Sequence, residues 1–261
     1  MMFLTRSALA ALACAALASP FAAQAELTND KLIGPGLRSR PAYEGSNSQK
    51  TEVVPVIRYL GQPWFLRSTQ GVLEGGWRTE LSPGLHVGAQ LAYEPGRRVS
   101  ESAFVQSRNL PGIRRGASIG LQAEWDHSFG PVPVTLLGRL RRNIDADLGT
   151  QADLRLSAGV FQSGRFGAGV FTQAIWGSAK SAASYYGVTP QQSDVSGLPA
   201  FQPGSGWLNT SLGLLWSVEL APKWVAVGSL ERRRLTGDAA DSPLVQRQSN
   251  NYISAGVAYR F

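Results

Sequence analysis

Residues 117–126 read ASIGLQAEWD: Ala117, Ile119, Leu121, Ala123 and Trp125 alternate strictly with Ser118, Gly120, Gln122, Glu124 and Asp126. A period of two puts the apolar set on one face of an extended strand and the polar set on the other. The same alternation recurs along the chain. Leu85, Val87, Ala89, Leu91 and Tyr93 are interleaved with His86, Gly88, Gln90, Ala92 and Glu94, and Leu208, Thr210, Leu212, Leu214, Trp216 and Val218 with Asn209, Ser211, Gly213, Leu215, Ser217 and Glu219. The last stretch sets Ile253, Ala255, Val257, Tyr259 and Phe261 against Tyr252, Ser254, Gly256, Ala258 and Arg260.

A soluble sandwich also alternates, so three further features decide between the two. The strands run to roughly 10–14 residues, beyond the usual globular length and enough for a tilted bilayer crossing. Charges sit in mid-strand on the polar faces, at Glu124, Arg139, Arg141 and Arg155, where a dry sandwich core would reject them and a wet lumen would not. The chain closes on Tyr259-Arg260-Phe261, and a terminal phenylalanine on an alternating aromatic strand resembles the signal read by the outer-membrane assembly machinery, with Tyr259 and Phe261 as its residues.

The N-terminal end agrees with this placement. Arg6 precedes an apolar stretch from Ser7 to Leu17, and Ala23-Gln24-Ala25 offers a small-x-small cleavage site before Glu26. This is the layout of a secretory signal peptide over residues 1–25, cut between Ala25 and Glu26, and its apolar stretch is too short for a membrane helix. Residues 26–261 then form one domain. The single cysteine, Cys14, falls inside the leader, and Ala11-Leu12-Ala13-Cys14 imitates a lipoprotein site less well than Ala25 serves as a cleavage site. Without it, disulfide, thiolate-metal and cysteine-nucleophile chemistry fall away together.

The net charge is +7, and with only four lysines it is carried almost entirely by arginine. Export removes nucleic acid as the partner. Arginines on alternating strands suit the lumen, the rim or lipopolysaccharide phosphates, which they bind bidentately. The triplet Arg232-Arg233-Arg234 is expected to face outward, near those phosphates.

Short joints at Gly61–Pro63, Ser82–Gly84, Ser128–Pro131, Ser163–Gly164 and Ala221–Pro222 alternate with long ones at 44–51, 95–113, 143–151, 177–206 and 236–250. Short periplasmic turns and long outer loops are the outer-membrane arrangement. A further outer hairpin, at Gln70-Gly71, is unexpectedly short. The count is about twelve strands, an even number that returns both ends to the periplasm. The predicted fold is therefore all-β: a closed antiparallel transmembrane barrel, because every backbone group in lipid must be paired. Trp64, Trp125, Phe129, Trp176, Trp224 and Tyr259 fit interfacial girdles. Trp207 and Trp216, nine residues apart, should lie on opposite faces.

Catalytic readings are weak. Gly116-Ala117-Ser118-Ile119-Gly120 matches G-x-S-x-G but lies within a strand, where a nucleophile elbow needs a strand-to-helix turn. His127 and Ser128 are adjacent and so point to opposite faces. Two histidines and no mature cysteine leave no dedicated transition-metal site, and no cofactor is expected.

Three loop stretches and the C-terminus carry a family likeness: YYGVTPQQSDVSGLPAF at residues 185–201, LTGDAADSPLV at 235–245, PAYEGS at 41–46 and AYRF at 258–261. In these the chain resembles the MipA/OmpV family of outer-membrane proteins. The resemblance implies a non-enzymatic scaffold in the outer membrane that joins a lytic transglycosylase to a penicillin-binding protein. The periplasmic turns and the tail near Leu27 to Leu32 would meet those enzymes. Outer-membrane lipid, lipopolysaccharide and the assembly machinery complete the expected partners. A narrow channel for small solutes, plugged or open, and an adhesion or envelope-stress role are the alternatives. Chemically remotest is a lipid-modifying enzyme.

Overall fold

The computed structural model describes residues 31–94 and 96–261; the expected leader and its cleavage site at Ala25 and Glu26 lie outside them. Twelve antiparallel strands, each hydrogen-bonded to its neighbours in sequence, close into a barrel. They are β1 (Leu32–Pro41), β2 (Gln49–Leu60), β3 (Trp64–Thr69), β4 (Val72–Ser82), β5 (Leu85–Glu94), β6 (Gly116–Phe129), β7 (Val132–Asn143), β8 (Thr150–Ser163), β9 (Phe166–Gly177), β10 (Gly206–Ala221), β11 (Trp224–Leu235) and β12 (Ser249–Arg260). Closure comes from β1 against β12, with Leu32 opposite Arg260 and Ser39 opposite Ile253. Four short helices occupy the long loops: α1 (Ala103–Ser107), α2 (Ala179–Tyr186), α3 (Pro190–Ser196) and α4 (Gly237–Asp241).

The alternation resolves into two faces as expected. Leu91, Tyr93, Ile119, Leu121, Leu154, Leu212, Leu230 and Ile253 stand exposed on the outside, while Arg67, Glu74, Gln122, Glu124, Arg139, Asp153 and Glu231 are buried in the lumen. An apolar outer belt over a polar interior is the reverse of a soluble protein and fits lipid outside. The short-turn rim carries Trp64, Phe129 and Trp224, all exposed, and Trp224 meets Tyr259 edge-on with ring centroids 5.5 Å apart.

Two expectations about side-chain facing need correction. A register shift between Trp207 and Asn209 inserts one residue into β10. An inserted residue inverts the alternation, so Trp207 lies on the same outer face as Trp216, which packs over the outward-facing Gly228. The Arg232–Arg234 triplet is also split: it lies within β11, so Arg232 and Arg234 point outward while the middle residue, Arg233, turns into the lumen and is buried.

Candidate functional site: the ion-filled lumen and its outer cap

Long polar side chains from the inner faces of β3 to β8 meet in one chain of ion pairs. Arg78 Nη2 lies 3.2 Å from Glu124, whose other oxygen accepts from Arg67 Nη1 at 2.8 Å. Arg67 Nε donates to Glu74 at 2.6 Å and its Nη2 to Gln122 at 2.8 Å. Glu74 accepts again from Arg139 at 2.8 Å, Arg139 reaches Asp153 at 2.7 Å, and Arg141 bridges Asp153 at 3.5 Å and Glu94 at 3.3 Å. Four guanidiniums meet four carboxylates, so the set is neutral overall. Neutrality, with every guanidinium against a carboxylate, is what lets charges sit out of water. Links such as Arg67 on β3 to Glu124 on β6, and Glu74 on β4 to Arg139 on β7, run across the lumen rather than along its wall.

A second cluster fills the opposite side. Arg233 donates to Glu231 at 2.9 Å and to Glu44, which also accepts from Tyr252 Oη at 2.8 Å. The Arg233 guanidinium lies over the Tyr252 ring, 4.4 Å from its centroid. Gln70, at the tip of the β3–β4 hairpin, donates to Glu231 on β11 at 3.0 Å. That tip therefore bends into the lumen. Gly71 has φ +81°, a left-handed conformation that favours glycine, and the Arg38 guanidinium packs against the space where a Cβ would stand.

The outer end is closed by a cap with small apolar cores of its own. One contains Ala42, Tyr43, Val105, Leu110, Val188 and Leu244; another contains Ala182, Tyr186, Leu208, Leu235 and Ala239. The three loop segments that carry the family likeness build this cap together. Tyr43 Oη donates to the Leu244 carbonyl at 2.9 Å, Ser242 Oγ to the Tyr186 carbonyl, and Asn250 Nδ2 to the Ser46 carbonyl at 2.7 Å. Thr189 and Gln192 form a capping box at the start of α3, with Pro190 at its first position, and Gly197 ends the helix at φ +69°. Burial pushes the Tyr43 phenol up to about 12 and raises those of Tyr185 and Tyr186, so all three stay neutral. Arg97 lies over the Tyr43 ring, and burial lowers its pKa from the usual guanidinium value. A cavity of about 200 Å³ remains under the cap, lined by Arg38, Arg97, Arg141, Glu44, Tyr185 and Tyr252 among others.

Against this geometry a family model, described as MltA-interacting protein MipA, matches residues 33–261. The chain belongs to the MipA family. Two curated relatives named "MltA-interacting protein", from Escherichia coli strain K12 and from Shigella flexneri, are each 26% identical over 209 residues, covering 80% of this chain and 81% of theirs. Among solved structures, a NanC porin is 13% identical with a TM-score of 0.48, covering 88% of this chain and 100% of its own. A bacterial polysaccharide outer membrane secretin is 10% identical with a TM-score of 0.45, covering 90% and 99%. The family and the lipid-facing belt make this an outer-membrane barrel.

The residues weighed for catalysis are scattered. Ser118 is buried near the start of β6, inside the strand, and donates to Glu94 at 3.0 Å, so the G-x-S-x-G match forms no elbow. His127 lies on the outer face, stacked on Trp125 at 5.2 Å and edge-on to Phe129 at 4.6 Å, turned away from Ser128. His86, Glu124 and Asp126 bring one ligand atom each within 4.8 Å of one another, yet Glu124 already serves Arg67 and Arg78. Sequence reading placed Glu124, Arg139, Arg141 and Arg155 in the lumen correctly. It did not find Glu44, Arg38 and Tyr252, because Glu44 lies in a loop and its partners are 189 and 208 residues away.

Proposed function

We propose that this protein is a non-catalytic outer-membrane anchor that holds a lytic transglycosylase, and through it a penicillin-binding protein, at the periplasmic rim of the barrel. The observation that carries this reading is the filled lumen. Ion pairs cross it between β3 and β8, and a cap with its own apolar cores covers its outer end. A barrel closed this way does not need its interior for transport, which leaves its rims for partners. The relatives named for interaction with MltA supply the partner class. The exposed outer-rim arginines Arg114, Arg142, Arg232 and Arg234 would meet lipopolysaccharide phosphates.

Crosslinking in intact cells, followed by recovery of the barrel and identification of what is attached, tests this. A transglycosylase, with or without the synthase, is the expected catch. Recovery of neither, under conditions that retain other murein complexes, overturns the proposal. Stable unitary currents in planar bilayers would favour the channel reading instead.

A further inference from the structure

In the cavity of about 200 Å³ beneath the cap, two buried guanidiniums have no carboxylate against them among the described residues. Six arginines line this cavity, and four of them are matched: Arg40 to Glu52 at 2.7 Å, Arg139 to Asp153 at 2.7 Å, Arg141 to Glu94 at 3.3 Å, and Arg233 to both Glu44 and Glu231. The other two are Arg97, in the β5–β6 loop, and Arg38, on β1, only 8% and 7% exposed. Arg97 gives one side-chain hydrogen bond, from Nη2 to the Pro111 carbonyl at 3.2 Å, and its Nε is buried with no acceptor. The groups that act on its charge are the phenols of Tyr43, Tyr185 and Tyr186, with no carboxylate among them. Arg38 lies over the Tyr252 ring, 5.3 Å from its centroid, and its side chain makes no hydrogen bond or ion pair with any described residue. Its carboxylate neighbour, Glu231, has one oxygen on Arg233 and the other on Gln70.

A charge taken out of water without a counter-charge is costly, which is why buried charges are paired. Arginine meets that need best with an oxyanion, whose oxygens match its fork of N–H donors. The same cavity wall holds two acceptors without donors, Gln173 Oε1 and Asn209 Oδ1, which suit hydroxyls. Arg38 also borders an incomplete seam of the barrel. β2 and β3 pair at only three positions, Arg58 to Leu60 against Phe65 to Arg67, and above Ile57 no strand among the described residues pairs with β2. A second cavity, of about 500 Å³, lies in that gap and shares Arg38, Thr69, Gln70 and Tyr252 with the first. Where water is scarce, attraction between charges weakens only slowly with distance, so Arg38 draws an anion toward the cavity without touching it.

We propose that the space beneath the cap is a binding site for one small soluble phosphate, held through its oxygens by Arg97 in the field of Arg38. The free ion and the phosphate ester of a polyol share this chemistry, and the ester adds hydroxyls for Gln173 and Asn209. Arg97 belongs to the β5–β6 loop and packs over Tyr43 of the β1–β2 loop, so an anion held there fastens two loops of the cap. The site goes beyond the anchoring role and does not depend on which periplasmic partner the barrel holds.

Isothermal titration of the purified barrel, in neutral detergent and chloride buffer, with inorganic phosphate, glucose 6-phosphate and glucose as separate titrants tests this. One equivalent of a phosphate should bind saturably and glucose should not. Tighter binding of glucose 6-phosphate assigns the ester, and equal or weaker binding assigns the free ion. Arg97→Gln should weaken the affinity about tenfold or more, the loss expected from removing a charge-assisted contact. Arg38→Gln should weaken it by less, and Arg247→Gln, exposed on the cap, should leave it unchanged. Bound phosphate should also slow proteolysis of the cap in the wild type and not in Arg97→Gln. Heat-modifiable migration confirms that each variant is folded. A wild type with no saturable phosphate binding above chloride, glucose binding as tightly as its phosphate, or equal affinities for Arg97→Gln and Arg247→Gln would each overturn the site.

Discussion

Replacing Glu74 with alanine strands two guanidiniums inside the barrel. The Glu74 side chain is fully enclosed, and its Oε1 accepts from Arg67 Nε at 2.6 Å and Arg139 Nη1 at 2.8 Å, both donors nearly as buried. Each charge-assisted hydrogen bond contributes about 1.5–3 kcal/mol, and breaking a buried pair from one side costs about 3–5 kcal/mol because the other charge is left uncompensated. Arg67 retains Glu124 and Arg139 retains Asp153, which puts the expected loss at the low end, about 3 kcal/mol. Arg139→Ala should cost about the same, and the double variant less than the sum, since each single change removes the other's partner.

The assay is a urea titration of the barrel in lipid vesicles, followed by tryptophan fluorescence and by heat-modifiable migration. Arg234→Ala, on the exposed outer face, is the reference and should move stability by less than about 0.5 kcal/mol. If Glu74→Ala falls within that margin, the lumen is wet enough to solvate both arginines, and the filled-lumen argument for a sealed scaffold fails with it.

Wild-type barrels should give no stable unitary current in planar bilayers, whereas Arg67→Ala combined with Arg139→Ala should open a measurable conductance; a conducting wild type contradicts the seal. The Tyr43 phenol is neutral when folded, with its pKa raised to about 12 chiefly by burial, so its contribution is complete below its ordinary value near 10 and is lost as pH climbs toward 12. Limited proteolysis of the cap should accelerate over that window, and Tyr43→Phe should flatten the response while losing about 1 kcal/mol from the bond to Leu244. Gly45 has φ +92° and its Cβ would meet Val245 and Leu235, so Gly45→Ala should loosen the cap by about 1–3 kcal/mol, read as faster hydrogen exchange near Leu244. Phe261 stays exposed beyond β12, and its deletion should lower the yield of barrel assembled in the outer membrane without changing urea stability.

How far the sequence carried the argument depends on the range of the interaction concerned. Alternation is a nearest-neighbour property, so the facing of Leu121 or Glu124 could be read directly and proved correct. Joint lengths are equally local, and they led to the strand number that the closed barrel has. A single inserted residue inverts the reading, as at Trp207, and nothing in the local composition marks it. The triplet at Arg232 was read as one patch because its charge is uniform; inside a strand the same three residues divide between lipid and lumen. The cap was recognisable only as separate likenesses at residues 41–46, 185–201 and 235–245. Their joining through Tyr43 and Leu244, 201 residues apart, depends on closure of the whole ring.

The short hairpin at Gln70-Gly71 links the two unusual parts of this barrel. A transmembrane strand needs about 9–11 residues, and at ~3.3 Å each the six of β3 reach only ~20 Å, so this hairpin ends within the bilayer. A turn stopping there would expose Gln70 and its backbone to hydrocarbon if it stayed in the wall. Bending inward gives Gln70 an acceptor on Glu231 and sets Gly71 against Arg38. The same bend withdraws the neighbour that β2 would have had above Ile57. Filling the lumen and opening the wall are thus two results of one missing stretch of strand, and Pro55 suits the exposed edge because it has no N–H to leave unpaired. A full-length β3 would complete the wall but remove the Gln70 crosslink to β11, so the seal across the lumen and the seam at its side are coupled in this fold.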